Sequence, residues 1–180
     1  MLEIIQHPNN ILCEKAAEIP VGDISSNKIQ TLISEMKEAL EKEQLGVAIA
    51  APQVGKSLKL FVVSGKVFAA NEPDKEYDPS KYPNLVCINP LITKTSKSTS
   101  EMHEGCLSVR GKWGKVMRAE KATLEAYNEK GEKISRGASG LLAQIFQHEM
   151  DHLDGILYLD KAVEVWDDAC EEKEEKNEKE

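Results

Sequence analysis

The hexapeptide Gln147-His148-Glu149-Met150-Asp151-His152 constrains this chain more than any other stretch. Its histidines stand four residues apart in a segment that scans as a helix, so both imidazoles project from one face. Two imidazoles so placed grip one metal ion, and the glutamate beside the first is placed to handle protons. Ile145 and Leu141 continue the same stripe one and two turns before His148. A metal-bearing face therefore runs directly into an apolar one on a single helix.

A catalytic metal of this kind takes three protein ligands and keeps one position open for water. In a metallopeptidase the third ligand usually lies downstream, yet only 28 residues follow His152 and none is a histidine. Upstream, the candidates are His7, His103, Glu104 and Cys106. The four cysteines, Cys13, Cys87, Cys106 and Cys170, are widely spaced and form no C-x-x-C pair. That pattern argues against a disulfide framework and leaves a thiolate available in a reducing compartment. Cys106 stands out by its setting, Glu104-Gly105-Cys106-Leu107-Ser108, but spacing alone leaves the choice open.

The remaining chain supplies one core, since 180 residues suffice for one domain and argue weakly for two. Ile29, Leu32, Ile33, Met36 and Leu40 recur at helical spacing and predict a helix over residues 25–44, ended by Gly46. The small-residue run from Gly46 to Gly55 fits either a close-approach turn or a packed strand. Short strands are expected at 58–63 and at 85–88, the second stopped by Asn89-Pro90, with a long surface loop at 66–83 between them. Residues 93–100 read as a loop or edge strand. Lys121–Tyr127 alternates and leads into a hairpin turn at Asn128-Glu129-Lys130-Gly131. The metal-bearing helix ends at Gly155, and a closing strand is expected at 156–159.

Charge and hydropathy narrow the function classes. The net charge is −8, and the last 17 residues alone carry nine acids and three lysines. No basic face for nucleic acid is evident. No apolar run reaches the ~18 residues a membrane span needs, and the N-terminus resembles neither a signal peptide nor a transit peptide. The expectation is a cytoplasmic protein: an α+β fold, a single compact domain over residues 1–165 with small antiparallel sheets around a central metal-bearing helix, and an acidic, frayed tail over 166–180.

Three stretches together, Gly46-Val47-Ala48-Ile49-Ala50-Ala51-Pro52-Gln53, Glu104-Gly105-Cys106-Leu107-Ser108 and Gln147-His148-Glu149-Met150-Asp151-His152-Leu153-Asp154-Gly155, resemble the peptide deformylase family, in the family's order. The resemblance spans roughly residues 4–160. It implies a metal-dependent hydrolase that removes the formyl group from N-terminal formyl-methionine of newly made polypeptides, releasing formate. It implies Cys106, His148 and His152 as ligands of one divalent ion, Fe²⁺ foremost, with Zn²⁺, Ni²⁺ or Co²⁺ as alternatives. Glu149 would move the proton of the attacking water, while the Gln53 amide and the Leu107 backbone N–H would stabilise the oxyanion. Val47, Ala48, Met102, Gly105, Leu141 and Ile145 would surround the methionine and its peptide. The partners implied are nascent N-formyl-methionyl polypeptides at the ribosome. Arg118 matches a family arginine and is expected to pair with Glu104 or Asp151.

The chain departs from the family pattern at several positions. Ala48 stands where glycine is usual, Arg110 where proline is frequent, Trp113 where arginine or tyrosine is common, and Gln144 where arginine or isoleucine is common. These changes bear on substrate preference and rate rather than on the reaction class.

Overall fold

The structure is a computed structural model that describes residues 2–69 and 77–168. Helix α1 (Asn27–Lys42) begins where the Ser26 hydroxyl accepts the Ile29 N–H at 3.4 Å, a side-chain cap of the usual kind. Its apolar stripe, Ile29, Leu32, Ile33, Met36 and Leu40, is buried as the spacing predicts. The helix stops at Lys42, four residues before Gly46. Gly46 is therefore no terminator. A Cβ there would come within 2.8 Å of Glu43 Cβ, so the glycine permits the chain to pass close to the helix end.

Strand β1 (Ala48–Ala50) resolves the small-residue run as both alternatives at once. It is a buried strand followed by a 3-10 turn over Ala51–Val54, ended by Gly55 at φ 77°. Then come β2 (Leu60–Val63), α2 (Lys66–Ala69), β3 (Leu85–Thr95), β4 (Thr99–Cys106), β5 (Val109–Ala119), β6 (Lys121–Tyr127) and β7 (Lys133–Ser139). Helix α3 (Gly140–Leu153), α4 (Tyr158–Lys161) and β8 (Glu164–Asp167) complete the described chain. One antiparallel sheet has the order β1-β2-β3-β6-β7, the other β4-β5-β8.

Helix α3 lies against β1, β3, β6 and β7 of the first sheet and β5 of the second, the central position the sequence predicts. Ile145, Phe146 and Leu153 on α3 share a core with Phe61, Val63 and Leu124. Each such side chain contributes about 1.5–3 kcal/mol relative to exposure. This burial fixes the helix axis and with it the directions of His148 and His152.

Four expectations need correction. Strand β3 does not stop at Asn89-Pro90: the pairing with β6 shifts register between Ile88 and Leu91 and then resumes. Proline removes a ladder donor, and a bulge absorbs the gap. Asn89, at φ 47°, turns its side chain to the N-terminal segment there, donating to Ile19 O at 2.6 Å and accepting the Ile19 N–H at 2.8 Å. The 66–83 loop opens with the short helix α2, and its residues 70–76 lie outside the described residues. Residues 156–159 form no strand. Leu157 N–H donates to Asp160 Oδ2 at 2.8 Å and a helical turn follows. The closing strand is β8, paired along β5, so the boundary placed between 165 and 166 falls inside a strand. The acidic residues from 169 onward lie outside the described residues.

No helix among the described residues is long and apolar enough to cross a membrane, which leaves strands unaddressed.

Candidate metal centre

Cys106 closes strand β4, and the turn to β5 aims its thiol at α3. The ligand atoms of Cys106, His148 and His152 lie within 4.8 Å of one another. Cys106 Sγ is 3.2 Å from His152 Nε2, and the two imidazole rings stand edge-on, 4.9 Å apart. His152 is buried, whereas Cys106 and His148 keep part of their surface open. The group is therefore closed from below and accessible from one side.

The electrostatics suit a cation. Burial disfavours a thiolate at Cys106, but the charge on His152 and hydrogen bonds from both imidazoles hold the thiol down at about 5. One soft thiolate with two imidazoles is a donor set for zinc, iron, nickel or cobalt. Beside it, Glu149 is buried with its carboxyl raised by desolvation. Glu149 Oε2 and His152 Nδ1 have no hydrogen-bond partner among the described residues. A buried carboxylate oxygen left unmatched beside three converging ligands marks a position for water or a reactant rather than a packing residue.

The other candidates for third ligand have different tasks. Glu104 Oε2 accepts from His148 Nδ1 at 2.9 Å and so fixes the ring. His103 is exposed and meets Trp166 edge-on at 5.2 Å. His7 is exposed too.

Behind Glu104 lies a buried ionic chain. Arg118 Nε and Nη2 donate to the two oxygens of Glu104 at 2.7 and 2.8 Å, and Nη1 donates to Asp151 Oδ2 at 2.6 Å. Lys161 holds the other Asp151 oxygen at 2.6 Å. Arg118 thus pairs with both expected carboxylates and ties β4, β5, α3 and α4 together. Burial alone would raise the Glu104 carboxyl, yet the hydrogen bonds from Arg118 and His148 hold it at about 2. Arg118→Ala leaves the buried Glu104 carboxylate with His148 as its one remaining strong partner and removes both guanidinium bonds, so it is expected to cost about 3–5 kcal/mol of stability. It should also weaken metal binding by about 10–100-fold, because the orienting carboxylate loses its anchor. Denaturant midpoints and chelator competition measure the two effects.

Gln53 approaches the cluster from the 3-10 turn. Its Oε1 accepts the Ala50 N–H at 2.8 Å, which assigns Nε2 to the metal side, 3.2 Å from Ser108 Oγ and 3.5 Å from Cys106 Sγ. The N-terminal segment braces both sides of this contact. Ile5 N–H donates to Gln53 O and His7 N–H to Ser108 O, each at 2.8 Å, and Gln6 Nε2 donates to Leu107 O at 2.8 Å.

A family model described as polypeptide deformylase matches residues 1–166. The chain belongs to the peptide deformylase family. A peptide deformylase of Desulforudis audaxviator is 36% identical over 166 residues, covering 92% of this chain and 96% of that one. One from Halothermothrix orenii is 39% identical with the same coverage. A crystal structure of the class I type b peptide deformylase from Acinetobacter baumannii superposes with a TM-score of 0.77 at 32% identity, covering 89% of this chain and 97% of that one. The same Acinetobacter enzyme with Met-Ala-Ser bound gives a TM-score of 0.75. The chain is accordingly a metal-dependent hydrolase that removes the N-formyl group from nascent polypeptides.

For a deformylase, the residues expected around the substrate divide by burial. Val47, Met102, Gly105 and Leu141 keep surface available, Leu141 being half exposed. Ala48 and Ile145 are buried within the core that supports them, so the apolar stripe splits into an outer residue and an inner one. Gln144 donates to His103 O at 2.8 Å and joins α3 to β4 along this border.

Three supporting residues were not singled out by sequence reasoning. Ser108, fully buried, holds the Gln53 amide. Gln147 accepts the Ala119 N–H and donates to Ala119 O, both at 2.9 Å, so it substitutes for a strand neighbour at the end of β5. Tyr158 lies under His148 with ring centroids 6.2 Å apart. Gln147 and Ser108 lie inside the motif stretches, which was a visible signal; Tyr158 carried none.

Proposed function

We propose that Cys106, His148 and His152 hold one divalent ion, with Fe²⁺ the native metal, and that Glu149, Gln53 and Leu107 carry the deformylation. The observation that supports this most directly is the unmatched Glu149 Oε2 beside the three converging ligands. Held by these three residues, the ion would supply Lewis acidity and make a water nucleophile accessible near neutral pH. Glu149 Oε2 takes the proton from the attacking water and delivers it to the departing methionyl amine. Gln53 Nε2 and the Leu107 N–H donate to the formyl oxygen as it gains charge. The donor end of Gln53 is fixed before substrate arrives, because Ala50 N–H occupies its carbonyl.

The peptide lies as an added strand along β4, with the backbone near Val47, Ala48 and Gly105 and the methionine toward Met102, Leu141 and Ile145. Main-chain pairing of this kind is indifferent to sequence, which suits an enzyme that meets many nascent chains. Binding of Met-Ala-Ser by the Acinetobacter relative supports such a pose. The setting is the cytoplasm, at the ribosome.

Formate release from formyl-Met-Ala-Ser by Fe²⁺-reconstituted protein tests the reading. Cleavage of internal peptide bonds without formate would replace it with a metallopeptidase. Metal analysis after anaerobic purification tests the choice of iron. Gln53→Ala is expected to lower kcat by about 10²–10³-fold, as loss of one oxyanion donor does elsewhere. An unchanged kcat would remove Gln53 from the oxyanion site.

A further inference from the structure

We infer that Trp113 makes this enzyme selective for the residue that follows formyl-methionine, favouring large apolar and aromatic side chains. The inference rests on the reading of β4 as the edge that receives the peptide.

Strand β4 ends its sheet, with β5 on one side only. Gly105 lies on it beside Cys106. A Cβ built on Gly105 would lie 3.3–3.4 Å from three atoms of the Trp113 six-membered ring. The ring therefore lies directly against the glycine, which adds no side chain over it. Its position is fixed: Trp113 Nε1 donates to Asp168 at 3.0 Å, and Trp166 stands opposite it on β8. Trp113 is only partly buried, so an aromatic surface remains open at the substrate edge.

Strand alternation says which substrate residue reaches it. On β4, Glu104 faces inward to His148 and Arg118, while His103 faces outward to Trp166. Side chains of an added strand alternate between the same two faces. With the methionine turned inward toward α3, the next side chain turns outward, to the face that carries Trp113. An aromatic partner there adds stacking beyond area burial, an effect of about threefold to tenfold in affinity.

The test compares formyl-Met-Xaa-Ser peptides with Xaa as Phe, Leu or Ala, on the metal-loaded wild type and on Trp113→Ala and Trp113→Phe. Calorimetry with Met-Phe-Ser and Met-Ala-Ser serves as a second readout. The wild type should show a KM for the Phe peptide about threefold to tenfold below that for the Ala peptide, and the same ratio in Kd for the products. The ratio should fall to near one in Trp113→Ala and be largely retained in Trp113→Phe. Equal values for Phe and Ala in the wild type would overturn the inference without any variant, and so would an unchanged ratio in Trp113→Ala. Absence of formate from every peptide would count against the deformylation roles instead, and product binding would still decide the role of Trp113.

Discussion

Glu149→Ala is expected to purify with a full complement of metal and to release formate at a rate at least ~10²–10⁴-fold below wild type, the span attributed to a positioned acid–base group. The expectation comes from the partners Glu149 lacks. Its side chain is 96% removed from solvent, and burial raises its carboxyl. One oxygen has no donor among the described residues. A structural carboxylate buried to this degree is normally matched, as Glu104 is by Arg118 and His148. Glu149 sits within the same helix turn as both histidines yet is held by neither pair of supporting residues. It is thus available to a water or a leaving amine at the site. Glu149→Gln keeps the volume and removes the basicity, and should lose as much rate as the alanine variant. Formate assays and metal analysis on the same samples separate the outcomes. Activity within tenfold of wild type would remove Glu149 from proton transfer, and loss of metal together with rate would make it a structural residue.

The parts of this site that were legible in the sequence are those set by local spacing. His148 and His152 share a face because a helix repeats every 3.6 residues, and the Asn128-Glu129-Lys130-Gly131 turn signal is met by Gly131 at a φ of 78°. Cys106 was visible only through its neighbours, since nothing in its spacing from His148 dictates proximity. What remained illegible is what depends on long-range pairing. Asn89-Pro90 reads as a stop locally, yet the strand resumes its pairing with β6 beyond a register shift, and the Asn89 side chain is held by Ile19, seventy residues away. Likewise β8 looks like the start of an acidic tail until its register against β5 places Trp166 opposite Trp113. The task of the N-terminal segment was not legible either, because it supports Gln53 and Ser108 through main-chain hydrogen bonds that any sequence can make.

Cys106→Ala is expected to lose the metal itself. The imidazoles beside Cys106 hold its thiol down at about 5, so the thiolate form that a metal needs is already favoured, and a metal that binds takes the place of the imidazole protons. Removing the thiolate takes away both a ligand bond and its charge, which should exceed the ~10–100-fold loss in affinity that follows from removing a supporting hydrogen bond. The melting temperature provides a readout independent of turnover. Metal that binds the folded state alone raises stability by RT ln(1 + [L]/Kd), about 2.7 kcal/mol at a hundredfold excess over Kd. Wild type should therefore melt higher with added Zn²⁺ or Co²⁺ than after chelation, while Cys106→Ala should melt at one temperature in both conditions. The metal-free forms of the two proteins should melt close together, because Cys106 is partly exposed and leaves little cavity when truncated. A metal-dependent rise in the variant equal to that of wild type would show that Glu104 or a solvent ligand completes the site and would reassign the third position.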